Sequence, residues 1–217
     1  GLVLFGRTVP DSLVRGILAS GLPVVLVARR AVGTADTLRV DNRTAAHDLG
    51  EHLGQHHFRR ARFLGSPETS HDVAERSEGL REGLAGYDIQ LDLVACNLDE
   101  ESGLRVAREL FADSVRPDAL ICANDEIALG AIIAAEEVGL RVGVDVAITG
   151  WDDIMAARHA RPALTTVRQP MRLLGAHAAE VLDERISHTR TTPRHEVLPA
   201  ELVVRSSCGS HPQGEQR

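Results

Sequence analysis

Lysine is absent from this sequence: every one of its 24 Lys-plus-Arg positions is arginine. We read that as codon bias toward GC-rich triplets, not as chemistry. Positive charge is also in the minority, with 31 acidic residues and a formal net charge of −7. Phosphate contact needs clustered basic side chains, so an acidic chain is a poor nucleic-acid binder by itself. Cysteine is sparse. Cys96, Cys122 and Cys208 are odd in number and far apart, which excludes a disulfide framework and fits a reducing cytoplasm. No run approaches the roughly 18 apolar residues of a membrane span, and the opening residues Gly1 to Phe5 show neither a basic region nor a cleavage pattern. A cytoplasmic protein without membrane contact is expected. Missing motifs exclude several enzyme classes. Gly6-Arg7-Thr8 does not supply G-x-G-x-x-G, and there is no P-loop and no G-x-S-x-G elbow. No cofactor is expected.

What is present is an alternation. Hydrophobic residues make up 43% of the 217, enough for one large or two small cores. Short apolar runs at 2–5, 23–27, 61–64, 91–95, 119–123 and 144–149 take turns with amphipathic stretches, the signature of an α/β protein with parallel sheets. Thr8 is suited to cap a first helix with Pro10 in its first turn, and Gly21 to stop it. Asn42 is placed to cap a second helix, and Asp125 a helix over 126–138. Residues 171–186 form a clear amphipathic helix, with Leu174, Ala178, Val181 and Leu182 on one side. Residues 197–204 read as a final strand or strand pair interrupted by Pro199. The polar segment 210–217 reads as a frayed tail.

Ligands of parallel α/β sheets bind beyond the carboxyl ends of strands, so polar residues directly after apolar runs matter most. They are Arg29, Asn124 with Asp125, and Asp152 with Asp153; Glu75-Arg76 begins a helix after the run 61–64. Arg76, Asn124 and Asp152 together suit a polyhydroxylated ligand. A carboxylate accepts from two adjacent hydroxyls, an amide donates and accepts, and a guanidinium donates in a planar fork. Plainer roles compete. Asn124 or Asp125 can be only a helix N-cap, Asp152-Asp153 a turn with one cap, and Arg76 a surface or ion-pair residue.

Histidines 47, 52, 56 and 57 crowd one helix. His52 and His56 are four apart, a spacing that can hold one metal, but the H-E-x-x-H pattern is missing. A solvated helix face is the expectation, with no metal site. Asp152-Asp153 could serve acid–base catalysis, but sequence neighbours usually point apart and no partner carboxylate is identifiable. No catalytic residue is assigned and an enzyme is not expected.

Val40-Asp41-Asn42, Phe63-Leu64-Gly65, Glu75-Arg76, Ala123-Asn124-Asp125, Ala128-Leu129-Gly130, Gly150-Trp151-Asp152-Asp153, the stretch from Pro162 to Pro170, and the stretch from Leu198 to Arg205 occur in one order. No single segment is specific, but the ordered set resembles the lactose-repressor and galactose-repressor (LacI/GalR) family of transcription regulators from residue 1 to about 208. That resemblance implies a periplasmic-binding-protein-like α/β fold: two doubly wound parallel-sheet subdomains, a cleft between them, and three crossovers near Val40, near 166–169 and near 190–196. Residues 1–40 with 170–194 would form the first subdomain, 41–169 with 195–207 the second, and 208–217 a disordered tail. Carried over residue by residue, Arg76, Asn124 and Asp152 would bind effector hydroxyls, Gln169 and Met171 would line the hinge side, and Trp151 would pack at the hinge.

Departures from the family pattern matter. Leu98 stands where an aromatic often stacks on a sugar ring, which weakens stacking. Ala28-Arg29 replaces the usual Asp, and an Arg there would favour an acidic or phosphorylated effector. The helix-turn-helix domain, hinge helix and two following βα units have no counterpart here. An incomplete first subdomain is therefore expected, with 1–40 poorly packed or completed by another chain. The implied function is effector sensing: a sugar or similar polar small molecule would control operator binding by a full-length homodimer, with DNA contacted only through the N-terminal domain. The alternative is a periplasmic or transport-associated sugar-binding protein of the same fold.

Overall fold

The computed structural model describes residues 1–6, 8–56 and 58–209. The chain divides into two compact units. Unit 1 comprises Gly1–Asp41, Ser70–Asp72 and Pro170–Ala200; unit 2 comprises Asn42–Thr69, Val73–Gln169 and the chain from Glu201 onward.

Unit 1 is built on four parallel strands in the order β1 (Leu2–Phe5), β2 (Val24–Val27), β3 (Asp36–Val40) and β9 (His195–Leu198). The continuous apolar run of β2 reflects burial on both faces, as parallel strands require. Its alternate side chains divide cleanly. Val25 and Val27 pack with Leu38, Val40 and the inner side of α7 (Met171–Ile186), through Leu174, Ala178 and Val181. Val24 and Leu26 pack on the other face with Val14 of α1 (Asp11–Ala19), Val32 and Ala35. Residues 1–40 thus hold a real core around β2 and β3. At the margin β1 is an edge strand, and Leu2, Phe5, Leu13 and Leu22 are exposed.

Buried Asp36 closes this unit electrostatically. Its Oδ1 accepts from Arg190 at 2.7 Å and from the Arg194 amide at 2.6 Å, and Arg185 stands 3.4 Å from its Oδ2. A buried carboxylate is tolerable only when so partnered.

Unit 2 carries a parallel sheet in the order β5 (Gln90–Val94), β4 (Arg60–Leu64), β6 (Ala119–Cys122), β7 (Ala147–Thr149). An antiparallel pair, β8 (Thr166–Arg168) with β10 (Glu201–Val203), continues from the end of β7 through bridges Thr149–Thr165 and Asp152–Arg168. The helices are α2 (Asn42–Gly54), α3 (His71–Leu84), α4 (Glu100–Ala112), α5 (Asp125–Glu137) and the short α6 (Met155–His159). Helix pairs approach closely through glycine. A Cβ on Gly130 of α5 would overlap the Glu100 carbonyl of α4, and one on Gly103 would overlap that of Ile127.

Several local expectations change. Thr8 does not cap α1; its hydroxyl donates to Phe5 O at 3.0 Å, and Pro10 holds the cap position. Asn124, not Asp125, caps α5: its Oδ1 accepts from the Ile127 amide at 2.9 Å. Residues 195–200 lie with unit 1 because β9 pairs with β3, so the chain changes unit between Ala200 and Glu201 and not near 190–196. Periodicity cannot reveal this, since β9 and β10 read as one interrupted strand. Cys208 is no part of a loose tail. It is fully buried in the 3-10 turn Ser206–Cys208. Residues 210–217 lie outside the described residues.

Candidate functional site

The order β5-β4-β6-β7 reverses direction between β4 and β6. The chain leaves β4 through α3 toward β5 on one side, and leaves β6 through α5 toward β7 on the other. A switch point of this kind opens a crevice at the carboxyl ends of the two strands, where open α/β sheets bind ligands. Asn124 follows β6 and Asp152 follows β7, while Arg76 lies on the helix after β4.

Arg76 joins these strand ends. It is buried, donates Nε to Asn42 Oδ1 at 2.9 Å, and donates a terminal nitrogen to Ala123 O at 2.6 Å. Its guanidinium also lies 4.6 Å from the centroid of the Trp151 ring. Ala123 precedes Asn124 and Trp151 precedes Asp152, so one side chain orients both loops. A rigid planar fork can do this where a point charge cannot.

Asn124 uses both ends of its amide. Besides capping α5, its Nδ2 donates to Leu98 O at 3.2 Å, which brings the exposed Leu98 beside it. Asp152 has a positive φ of 113° and Asp153 one of 54°. Strained backbone at non-glycine residues persists only where surroundings over-determine it, and it clusters at functional sites. The two carboxylates diverge. Asp152 accepts from Gln169 Nε2, and its amide donates to Val167 O at 2.8 Å. Asp153 is buried and binds three arginines: Arg158 at 2.9 Å, Arg168 at 2.7 Å and Arg205 at 2.6 Å. Burial pushes its carboxyl up, but the hydrogen bonds from Arg168, Arg205 and Arg158 outweigh this and hold it below the usual range.

Asp125 is wholly buried, accepting from Thr166 Oγ1 at 2.6 Å and from the Ile154 amide at 2.9 Å. Burial pushes its carboxyl up to about 7, against the lowering effect of those two bonds; Asp152 and Asp153 add to the rise. Three aspartates near one place therefore have distinct jobs. Asp125 and Asp153 tie β8 to the ends of β6 and β7, and Asp152 alone is left partly open to solvent.

The structure thus gathers Arg76, Asn124, Asp152, Gln169 and Leu98 on unit 2. Met171, at the start of α7, belongs to unit 1 and is exposed. Arg29 is corrected. It is buried in unit 1, ion-paired with Asp11, and donates to Val9 O at 3.0 Å, so it ties the end of β2 to the start of α1. Sequence reasoning missed Asn42 as a partner of Arg76 and the three-arginine shell of Asp153. No periodicity links such residues; only Arg158, five positions after Asp153, is near in sequence.

Residues 51–208 match the family model described as a periplasmic binding protein-like domain. The chain is 32% identical over 171 residues to the HTH-type transcriptional repressor PurR of Escherichia coli O1:K1, and 40% identical over 126 residues to that of Erwinia tasmaniensis. The first alignment covers 77% of this chain and 50% of the repressor; the second covers 58% and 37%. The chain therefore spans about half the length of the curated relatives it matches. A LacI family transcriptional regulator from Enterococcus faecium with bound ribose superposes with a TM-score of 0.85 at 25% identity, over 93% of this chain and 76% of that one. The transcriptional regulator CelR in complex with cellobiose superposes with a TM-score of 0.86 at 30% identity, over 95% and 65%. The chain belongs to the periplasmic binding protein-like domain family and is homologous to LacI-family transcriptional repressors. These relatives are regulators and not enzymes.

Proposed function

We propose that unit 2 binds a hydroxyl-rich small molecule, a sugar in the first instance, through Asp152, Asn124 and Arg76, with Gln169 and Leu98 beside them. The observation that carries this reading is their convergence at the switch point of the β5-β4-β6-β7 sheet. Asp152 is the accepting carboxylate, fixed by Gln169 and by an unusual backbone. Such a site discriminates well, because a missing hydroxyl leaves buried polar groups unpaired. Ribose and cellobiose in the related regulators support the ligand class. Binding would favour one conformation of a full-length dimeric repressor and so control its hold on operator DNA.

A thermal-shift screen against monosaccharides, disaccharides, sugar acids and nucleobases tests the reading. A ligand at 100-fold its dissociation constant adds about 2.7 kcal/mol of stability. A saccharide is expected to raise the melting temperature, and Asp152→Asn to abolish the rise. No saccharide response, or a rise unchanged in Asp152→Asn, would overturn the assignment. Light scattering that found the full-length protein only monomeric would overturn the dimeric part.

A further inference from the structure

Away from the switch point, unit 2 brings Cys208 to two histidines, four residues apart, that precede it by more than 150 positions. His52 lies in the last turn of α2, and His56 in the turn that follows it. Cys208 sits in the 3-10 turn after β10. The candidate donor atoms of all three lie within 4.8 Å of one another. His52 Nε2 is 3.5 Å from Cys208 Sγ, and the two imidazoles meet edge to face with centroids 5.1 Å apart. Both histidines are half-buried and the cysteine is fully buried, so this is not a solvated helix face.

We propose that His52, His56 and Cys208 form a site for one borderline-soft first-row metal ion, Zn2+ first among them. Two imidazoles and a thiolate are the donors such ions select over carboxylate-loving Mg2+ or Ca2+. The spacing supports this independently. Ordinary Zn–S and Zn–N bonds at a tetrahedral angle set the sulfur–nitrogen edge at about 3.5 Å and the nitrogen–nitrogen edge at about 3.3 Å. The first edge is already present between His52 and Cys208. The donor atoms of His52 and His56 lie within 4.8 Å of each other, so the second edge needs a closure of at most about 1.5 Å. Three protein donors leave a fourth position for solvent or an outside ligand.

The cysteine end of the site is firmly built. Ser207 Oγ donates to Ile148 O and accepts from the Thr165 amide at 2.8 Å, and the Thr165 hydroxyl lies 3.0 Å from Cys208 Sγ. These bonds fix the 3-10 turn against β7 and the segment entering β8. On the histidine side, Phe58 stacks on His56 with centroids 5.2 Å apart. Gly209, with φ of 105°, lets the backbone pass close by: a Cβ there would stand 3.6 Å from His56 Nδ1. Burial raises the Cys208 thiol above its ordinary range, against the hydrogen bond from Thr165. Coordination as a thiolate releases the Cys208 proton to solvent. Metal would clip α2 to the turn after β10.

Co2+ tests the site, because thiolate ligation gives a charge-transfer band that imidazole alone does not. Chelator-stripped full chain, kept reduced, should bind one Co2+ per molecule with that band and with tetrahedral visible absorption, and Zn2+ should displace it. Cys208→Ser should lose the band. His56→Gln, with circular dichroism confirming its fold, should weaken binding beyond the about 10- to 100-fold typical of losing a mere outer-shell partner. Absence of the thiolate band in the reduced wild-type chain overturns the proposal. So does a band that survives Cys208→Ser, which would report Cys96 or Cys122, or affinity unchanged in folded His56→Gln.

Discussion

The Arg76 guanidinium carbon lies 4.6 Å from the centroid of the Trp151 ring. The contact joins α3 to the loop after β7, and because both residues are buried, little water competes for it. A desolvated cation–aromatic pair contributes about 2 kcal/mol, and each hydrogen bond from a charged donor about 1.5–3 kcal/mol.

Arg76→Lys is therefore not conservative. A single ammonium cannot donate to Asn42 Oδ1 and Ala123 O while lying flat on the indole. Urea unfolding should show a loss of about 2–3 kcal/mol. Trp151→Phe should cost less than Trp151→Ala, because a phenyl ring keeps a face for the guanidinium.

Asp125 should make stability fall as pH rises. Its folded carboxyl titrates at about 7, well above the ordinary range. Between about pH 4 and that value the folded state holds a proton that the unfolded chain releases, so raising pH through this window destabilises the fold. Asp125→Asn removes the ionisation and keeps the shape. Denaturation at pH 5 and pH 8 should show the variant gaining on the wild type at the higher pH. An equal difference at both would show that Asp125 does not titrate there.

Asp153 should act in the opposite sense. Its carboxyl is held low, so its contribution is present above the ordinary carboxylate range and is lost as pH falls through its folded value. Asp153→Asn removes the carboxylate shared by three arginines, of which Arg168 keeps Glu201 at 3.0 Å. Breaking a buried pair costs about 3–5 kcal/mol, but Arg158 and Arg168 are about half in water, which screens their share. A loss of about 2–3 kcal/mol by urea unfolding is expected.

Two glycine-to-alanine changes should differ in sign. At Gly175 of α7 nothing among the described residues lies within 4 Å of an added Cβ, so alanine should stabilise by about 1 kcal/mol through helix propensity. At Gly130 the same propensity gain meets the Glu100 carbonyl and the Leu104 amide of α4. Backbone cannot yield as a side chain does, and overpacking costs about 1–3 kcal/mol. Net destabilisation is expected, read as a lower melting temperature.

Much of this was legible from residue order. The uninterrupted run of β2 announced a strand buried on both faces, and the spacing of Leu174, Ala178 and Val181 announced the inner side of α7. The rule that ligands sit after strand ends pointed to Asn124 and Asp152. One kind of assignment failed where two neighbouring residues compete for a role. Asn124 and Asp125 are both good caps, and only the backbone path shows that Asn124 has the extended conformation and Asp125 is the first helical residue. The aspartates of the Trp151 loop likewise separate through partners 5 to 52 positions away.

The sequence by itself determined the α/β class, the strand-end residues and the family, because side-chain periodicity and local motifs are properties of neighbours along the chain. Tertiary structure alone decided which polar residues are locked and which stay open. It turned Arg29 inward to Asp11, surrounded Asp153 with arginine, and gave β9 to one unit and β10 to the other. It also carried Cys208 across 156 positions to His52. Burial, hydrogen-bond partnership and electrostatic environment depend on distance in space, and that distance exists only once the chain has folded.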